Sequence, residues 1–154
     1  MAYAIYGSTH NEMIFAIVVG ICHLGNVVTY QDHLMKLAIT STDEGASSTF
    51  SATFGRAPCF YIWDSQTETA TTIDNLQNKN AAQGAGIQAA QTVVKSGAKA
   101  VITGHCGPKA YRVLAAAGVR VFYADVRTVE EAIGSFQRGD LIEATSADVE
   151  GHWA

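Results

Sequence analysis

The sequence predicts an α/β domain built on one mixed five-stranded sheet, and three observations lead there. From residue 35 onward, short β-branched and aromatic runs are followed by helical patterns in regular alternation. Glycines stand where those helical patterns must stop. Two strand-like runs precede the alternation and are separated only by a short polar turn. The chain has 154 residues, 48% of them apolar and 16% charged, which fits one globular domain able to bury a core without disulfides.

Each element has its own signal. Lys36–Ser41 alternates apolar and polar residues and reads as the first strand, followed by a Ser/Thr/Gly-rich loop from Thr42 to about Thr53. Cys59–Asp64 (CFYIWD) is a strong strand, and Glu68–Asp74 (ETATTID) alternates as its hairpin partner across the turn Ser65–Thr67. Asn75–Gln83 is polar and reads as a loop. Gly84–Ser96 places Ile87, Ala90, Val93 and Val94 on one helical face and is stopped by Gly97. Ala100–Thr103 (AVIT) is a short buried strand.

Pro108–Ala117 reads as a helix with Val113, Leu114 and Ala117 inward and Gly118 at its end, and Val119–Tyr123 (VRVFY) as the next strand. Thr128-Val-Glu-Glu is a capping box opening a last helix with Val129, Ala132, Ile133 and Phe136 on its apolar face. The order is βββαβαβα. Strands alternating with helices are expected parallel with right-handed crossovers, and the middle strand of the opening three antiparallel. That is a ribonuclease-H-like arrangement.

Residues 1–34 read as an N-terminal extension of the domain at 35–154. They contain no Lys or Arg, and their apolar run Ile14–Cys22 (IFAIVVGIC) is too short to span a bilayer. No positive n-region marks an export signal, so a cytoplasmic location is expected. The extension is a private addition, a misplaced start, a weak anchor, or an extra element packed on the domain. Its histidines, His10, His23 and His33, have no ligand spacing.

Net charge is −4, and the ten basic residues form no run, so neither nucleic acid nor a membrane surface is an expected partner. The three cysteines, Cys22, Cys59 and Cys106, include no CxxC pair. This excludes a zinc ribbon or a self-contained ferredoxin site and fits a reducing compartment. Cys59, inside an apolar strand, reads as core.

Ligands of open α/β sheets bind beyond the carboxyl ends of the parallel strands. Three loops are expected to meet there. Phe54-Gly55-Arg56-Ala57-Pro58 offers Arg56 as a fixed cation. Gln83-Gly84-Ala85-Gly86 opens a helix, and Gly84 and Gly86 let its N–H groups approach an anion. Gly104-His105-Cys106-Gly107-Pro108-Lys109 carries a thiol and an imidazole just before a helix start, with Gly104 and Gly107 flanking them. A helix N-terminus favours thiolate, the form that binds soft metals. The blander reading is a buried cysteine, a loop-capping histidine and an arginine in a surface ion pair.

These segments, together with Val101-Ile102-Thr103-Gly104 and Val149-Glu150-Gly151-His152-Trp153, occur in an order that resembles the dinitrogenase iron–molybdenum cofactor biosynthesis family. That family includes nitrogenase accessory carriers and orange proteins, and the resemblance covers 35–154. It implies non-catalytic binding of a metal–sulfur cluster, of iron–molybdenum or molybdenum–copper sulfide type, and partner proteins that donate or accept it. In that reading Arg56, Gly84, Gly86, Gly104 and Gly107 would surround the cluster, and Cys106 and His105, by their place beside a helix start, would supply direct or outer-sphere metal contacts. His152 and Trp153 would shield a ligand or pin the tail. Two other classes compete: an interaction module with an empty pocket, and a magnesium-dependent nuclease using Asp43, Asp64, Asp74 or Asp125. The nuclease lacks the basic surface it would need.

Overall fold

A computed structural model describes residues 35–146. The opening strands lie where the pattern puts them: β1 at Lys36–Ser41, β2 at Cys59–Asp64 and β3 at Thr69–Asp74. A one-turn helix α1 (Leu76–Lys79) follows, then α2 (Ala85–Lys95), β4 (Ala100–Thr103), α3 (Pro108–Ala116), β5 (Arg120–Tyr123), α4 (Val129–Gln137) and β6 (Ile142–Glu143).

The sheet has six strands in the order β3-β2-β1-β4-β5-β6, so the expected count of five is corrected by one. The added strand β6 pairs antiparallel with β5 through Phe122–Glu143 and Tyr123–Ile142. Two residues, of which Ile142 is 71% exposed, carry no readable alternation. What holds them is Arg120, whose guanidinium bonds both oxygens of Glu143 at 3.0 and 2.7 Å and lies over the Phe122 ring. β1 runs parallel to β4, and β4 to β5, while β2 is antiparallel to both β1 and β3.

Two apolar layers sandwich the sheet. On one face Ala38, Phe60, Ile62, Val101 and Val121 meet Ala89, Ala90 and Val93 of α2 and Ala110 and Leu114 of α3. On the other, Leu37, Ile39, Ala100, Ile102 and Phe122 meet Val129, Ala132 and Phe136 of α4. Successive strand residues point to opposite faces, which is why both sets come from the same strands.

The helix faces differ from expectation in one respect. Ala117 is exposed, and Ala110 takes the inward place. The helix ends at Ala116, with Ala117 as its C-cap on the solvent side just before Gly118, whose φ is +75°. Within the stretch expected to be loop, α1 forms around Asn75. This residue is 2% exposed: its amide nitrogen donates to Ala57 O at 2.8 Å, and its Oδ1 accepts from Asn78 at 2.7 Å.

At α4 the Thr128 hydroxyl accepts from Glu131 N–H at 3.2 Å, and the Glu131 carboxylate accepts from Arg127 N–H at 2.9 Å. The box thus closes one residue earlier than the usual pattern. Thr128→Ala should lower stability by about 0.5–2 kcal/mol, measured by urea denaturation; a variant as stable as the parent would show that the cap carries nothing.

Candidate functional site

The cleft at the carboxyl edge of β1 and β4 arises from three stretches that the backbone stitches together. After β4 the chain continues in extended form, and His105 forms a parallel bridge with Thr53. His105 N–H donates to Ala52 O at 2.6 Å, and Phe54 N–H donates to His105 O at 3.0 Å. The Arg56 loop is held from the other side by Asn75, through its side chain to Ala57 O and its N–H to Pro58 O at 2.8 Å.

Glycines let these stretches approach. A Cβ on Gly55 would lie 2.9 Å from Gly86 Cα, and one on Gly104 would lie 2.6 Å from Ala52 O. A Cβ on Gly86 would sit 3.3 Å from Ala110 Cβ, so the first turns of α2 and α3 lie side by side.

The resulting cleft encloses about 740 Å³ and is lined by Thr53, Gly55, Arg56, Ala81–Ile87, His105, Gly107, Pro108, Lys109 and Ala110. Both helices begin in it, so their first-turn amides, which have no partner within the helix, lie at its wall, Pro108 having none to offer. Neither α2 nor α3 has a side-chain cap, and neither carries an acidic residue in its first turn. At α4, away from the cleft, a threonine cap and two glutamates fill those roles. Arg56, His105 and Lys109 are all exposed at the cleft, and among the described residues no carboxylate lines it. Lys109, in the first turn of α3, puts a cation at the positive end of a helix, which costs about 0.3–1 kcal/mol unless an anion sits nearby.

Arg56, Gly84, Gly86, His105 and Gly107 therefore come together as the sequence suggested. Gly104 and Cys106 do not line the cleft. Gly104 is packed against Ala52, and Cys106 is fully buried in the apolar layer with Phe54, Ala57 and Ala110. His105 and Cys106 are consecutive in extended chain, so when one side chain faces the cleft the other faces the core. Lys109, Gly55 and Asn75 complete the site and were not singled out beforehand. The signal for Lys109 was its place just after the helix-opening proline. Asn75 gave none. His152 and Trp153 lie outside the described residues, as do Cys22 and His10, His23 and His33.

Cys59 behaves as core. Its thiol donates to Asp43 O at 3.2 Å and is 7% exposed. Burial pushes its pKa up, a hydrogen bond with Ser41 offsets part of this, and Asp43, Asp74 and Glu44 push it further up. Because the folded state holds this proton more tightly, the contribution to stability is full below the ordinary thiol pKa and is lost as pH rises through the folded value. Cys59→Ala should flatten the fall in stability through the alkaline range. An unchanged slope would mean other groups dominate it.

Among the described residues, no group of three or more His, Cys, Asp or Glu side chains is placed to hold a metal ion. Asp64 and Asp74 stand at opposite ends of the β2–β3 ladder, opposite Thr69 and Cys59. Among the described residues, no helix is long and apolar enough to cross a membrane.

Fold and cleft together define a class: a small α/β domain with an open, cationic, amide-lined cleft at the carboxyl edge of its sheet. The chain belongs to the dinitrogenase iron–molybdenum cofactor family, whose model matches residues 35–139. Among solved structures it is similar to the apo form of the orange protein from Desulfovibrio gigas, with 36% identity and a TM-score of 0.73 over 76% of this chain and 98% of that one. A Thermotoga protein described as a candidate NifB protein has 34% identity and a TM-score of 0.68 over 76% of this chain and 99% of that one. An uncharacterized protein of Methanocaldococcus jannaschii is 29% identical over 110 residues, 70% of this chain and 90% of its own length.

Proposed function

We propose that the chain binds an anionic metal–sulfur cluster, or a thiometallate precursor of one, as cargo in the cleft between α2 and α3, and catalyses nothing itself. The observation that carries this is the pair of uncapped helix N-termini, free of first-turn acids, that open side by side beneath Arg56, His105 and Lys109. Such a site suits a preassembled polyanion held by amides and charge, because its donor set is too poor to assemble a bare-ion site. Family membership and the likeness to an apo orange protein support the same reading.

Within it, Arg56 and Lys109 balance the charge of the cargo, and the amides around Gly84, Gly86 and Gly107 donate hydrogen bonds to its sulfides. His105 touches the metal or a bridging sulfide. Cys106 acts from beneath the loop, by packing and outer-sphere contact. Iron–molybdenum and molybdenum–copper sulfides are the expected cargoes, and cluster donor or acceptor proteins in the cytoplasm the expected partners. We read the fold as ribonuclease-H-like, from the order β3-β2-β1-β4-β5 with β2 antiparallel, but with the nucleolytic carboxylates absent from the described cleft.

The test is metal analysis and a visible spectrum on anaerobically purified protein, before and after incubation with iron, copper, sulfide and thiomolybdate. Stoichiometric metal with charge-transfer bands is expected. A colourless, metal-free protein after every incubation would leave the interaction-module reading in its place. The double variant His105→Ala/Cys106→Ala should retain less cluster than the parent; equal retention would remove both residues from the site.

A further inference from the structure

The two faces of the sheet are covered unequally. α2 and α3 lie over one face, whereas a single helix, α4, lies over the other with Phe50 of the β1–β2 loop, packing on β1, β4 and β5. Beyond β1 on that second face, β2 and β3 present Tyr61 and Trp63 beside Thr72 and Ala70, their register partners. Tyr61 and Trp63 pack against the edge of this layer yet stay only half-buried, as does Thr72, and Ala70 is exposed, so the strip is left partly open to water. Paired half-exposed aromatics beside Ala70 and Thr72 are an unusual surface to leave to water, although Asp74 borders them on the same face.

The chain enters the domain at the foot of this strip. Met35 packs with the same apolar layer as Tyr61 and Trp63. Its N–H donates to Ser65 Oγ at 2.8 Å, and its carbonyl accepts from Ser65 N–H at 3.2 Å and Oγ at 2.9 Å. Met35, the first described residue, is thus fixed beside the β2–β3 turn, at one end of the strip. The preceding 34 residues lie outside the family match, which begins at 35, and contain the uncharged apolar run Ile14–Cys22. As a helix the run would be about 13 Å long and as a strand about 30 Å, against about 20 Å for the β2–β3 ladder. The twelve residues from 23 to 34 can reach up to about 40 Å, enough to lay it anywhere along the strip.

We propose that Ile14–Cys22 docks on the Tyr61–Trp63–Ala70–Thr72 strip of its own chain, as the second cover of that face. The docked run buries the aromatics, removes its own apolar surface from water, and leaves the cleft on the carboxyl edge untouched. This inference is independent of what the cleft binds.

The probe is Trp63 fluorescence in the full chain carrying Trp153→Phe, which leaves Trp63 as the sole tryptophan. Expected are blue-shifted emission and weak acrylamide quenching, both unchanged on dilution. With Ile17→Asp/Val19→Asp added, emission should shift red and quenching should rise. Hydrogen exchange on the unaltered protein is the second readout, with slow amides expected across 14–22. An emission unaffected by the aspartates, or fast exchange across 14–22, would overturn the proposal. So would shielding that vanishes on dilution (a second copy as occupant), or shielding that appears only with phosphatidylcholine vesicles (a membrane as occupant).

Discussion

Reversing both cations of the cleft, with Arg56→Glu and Lys109→Glu in one chain, is expected to abolish retention of a thiometallate cargo while the protein stays folded. Each residue can give one charge-assisted hydrogen bond, worth about 1.5–3 kcal/mol, or about 10- to 100-fold in Kd. Losing two such bonds and adding two like charges beside an anion should weaken binding by about three orders of magnitude or more. Both side chains are exposed, and neither belongs to an apolar layer of the core, so the melting temperature should change little. Equilibrium dialysis against tetrathiomolybdate, with metal counted on each side, reads the result directly. Parent-like retention in a folded double variant would show that charge does not hold the cargo, and the proposed function would lose its main support.

The second large effect concerns stability. Gly104→Ala should cost about 2–4 kcal/mol and lower the melting temperature by about 10–25 °C. The added methyl would meet Ala52 backbone at 2.6 and 2.9 Å, and backbone cannot rotate away. It would wedge apart the bridge between Thr53 and His105 on which the cleft wall depends.

Gly86→Ala is the contrasting case. Its methyl would meet only Ala110 Cβ, at 3.3 Å, and replacing a helical glycine gains up to about 1 kcal/mol of propensity. Near-parental stability is therefore expected there, together with a narrower cleft mouth. Calorimetry on the pair decides: equal melting temperatures for the two variants would mean that the Gly104 contact relaxes freely.

That contrast also marks where sequence reasoning stops. Gly104 sits in the loop ahead of α3 and Gly86 in the first turn of α2, and from sequence both looked like ligand-facing positions. Gly86 does line the cleft, whereas Gly104 is small because Ala52, far away in the chain, needs the space. A contact of that separation leaves no local trace. Cys106 is similar: its position before α3 was legible, but the direction of its side chain was set by the bridge at His105.

The strands were the readable part, because β1, β2 and β4 are continuous apolar or alternating runs with turn residues at each end. α1 was hidden because its four residues are polar or exposed and its stability comes from the buried Asn75 at its cap. β6 was hidden because one ion pair and two ladder positions, rather than a hydrophobic pattern, hold it in place.

The main-chain bridge beneath His105 bears on how a cargo could leave. Ala52–Phe54 and His105 are locked by the hydrogen bonding of the sheet, and the Arg56 loop is tied down by Asn75. These two walls of the cleft are therefore held by main-chain bonding that a bound cargo need not supply. If a cluster is bound there as proposed, relaxation of these walls would not eject it. Delivery would have to proceed by competition, with the recipient's ligands taking hold of the exposed side of the cluster before the amides on the other side let go.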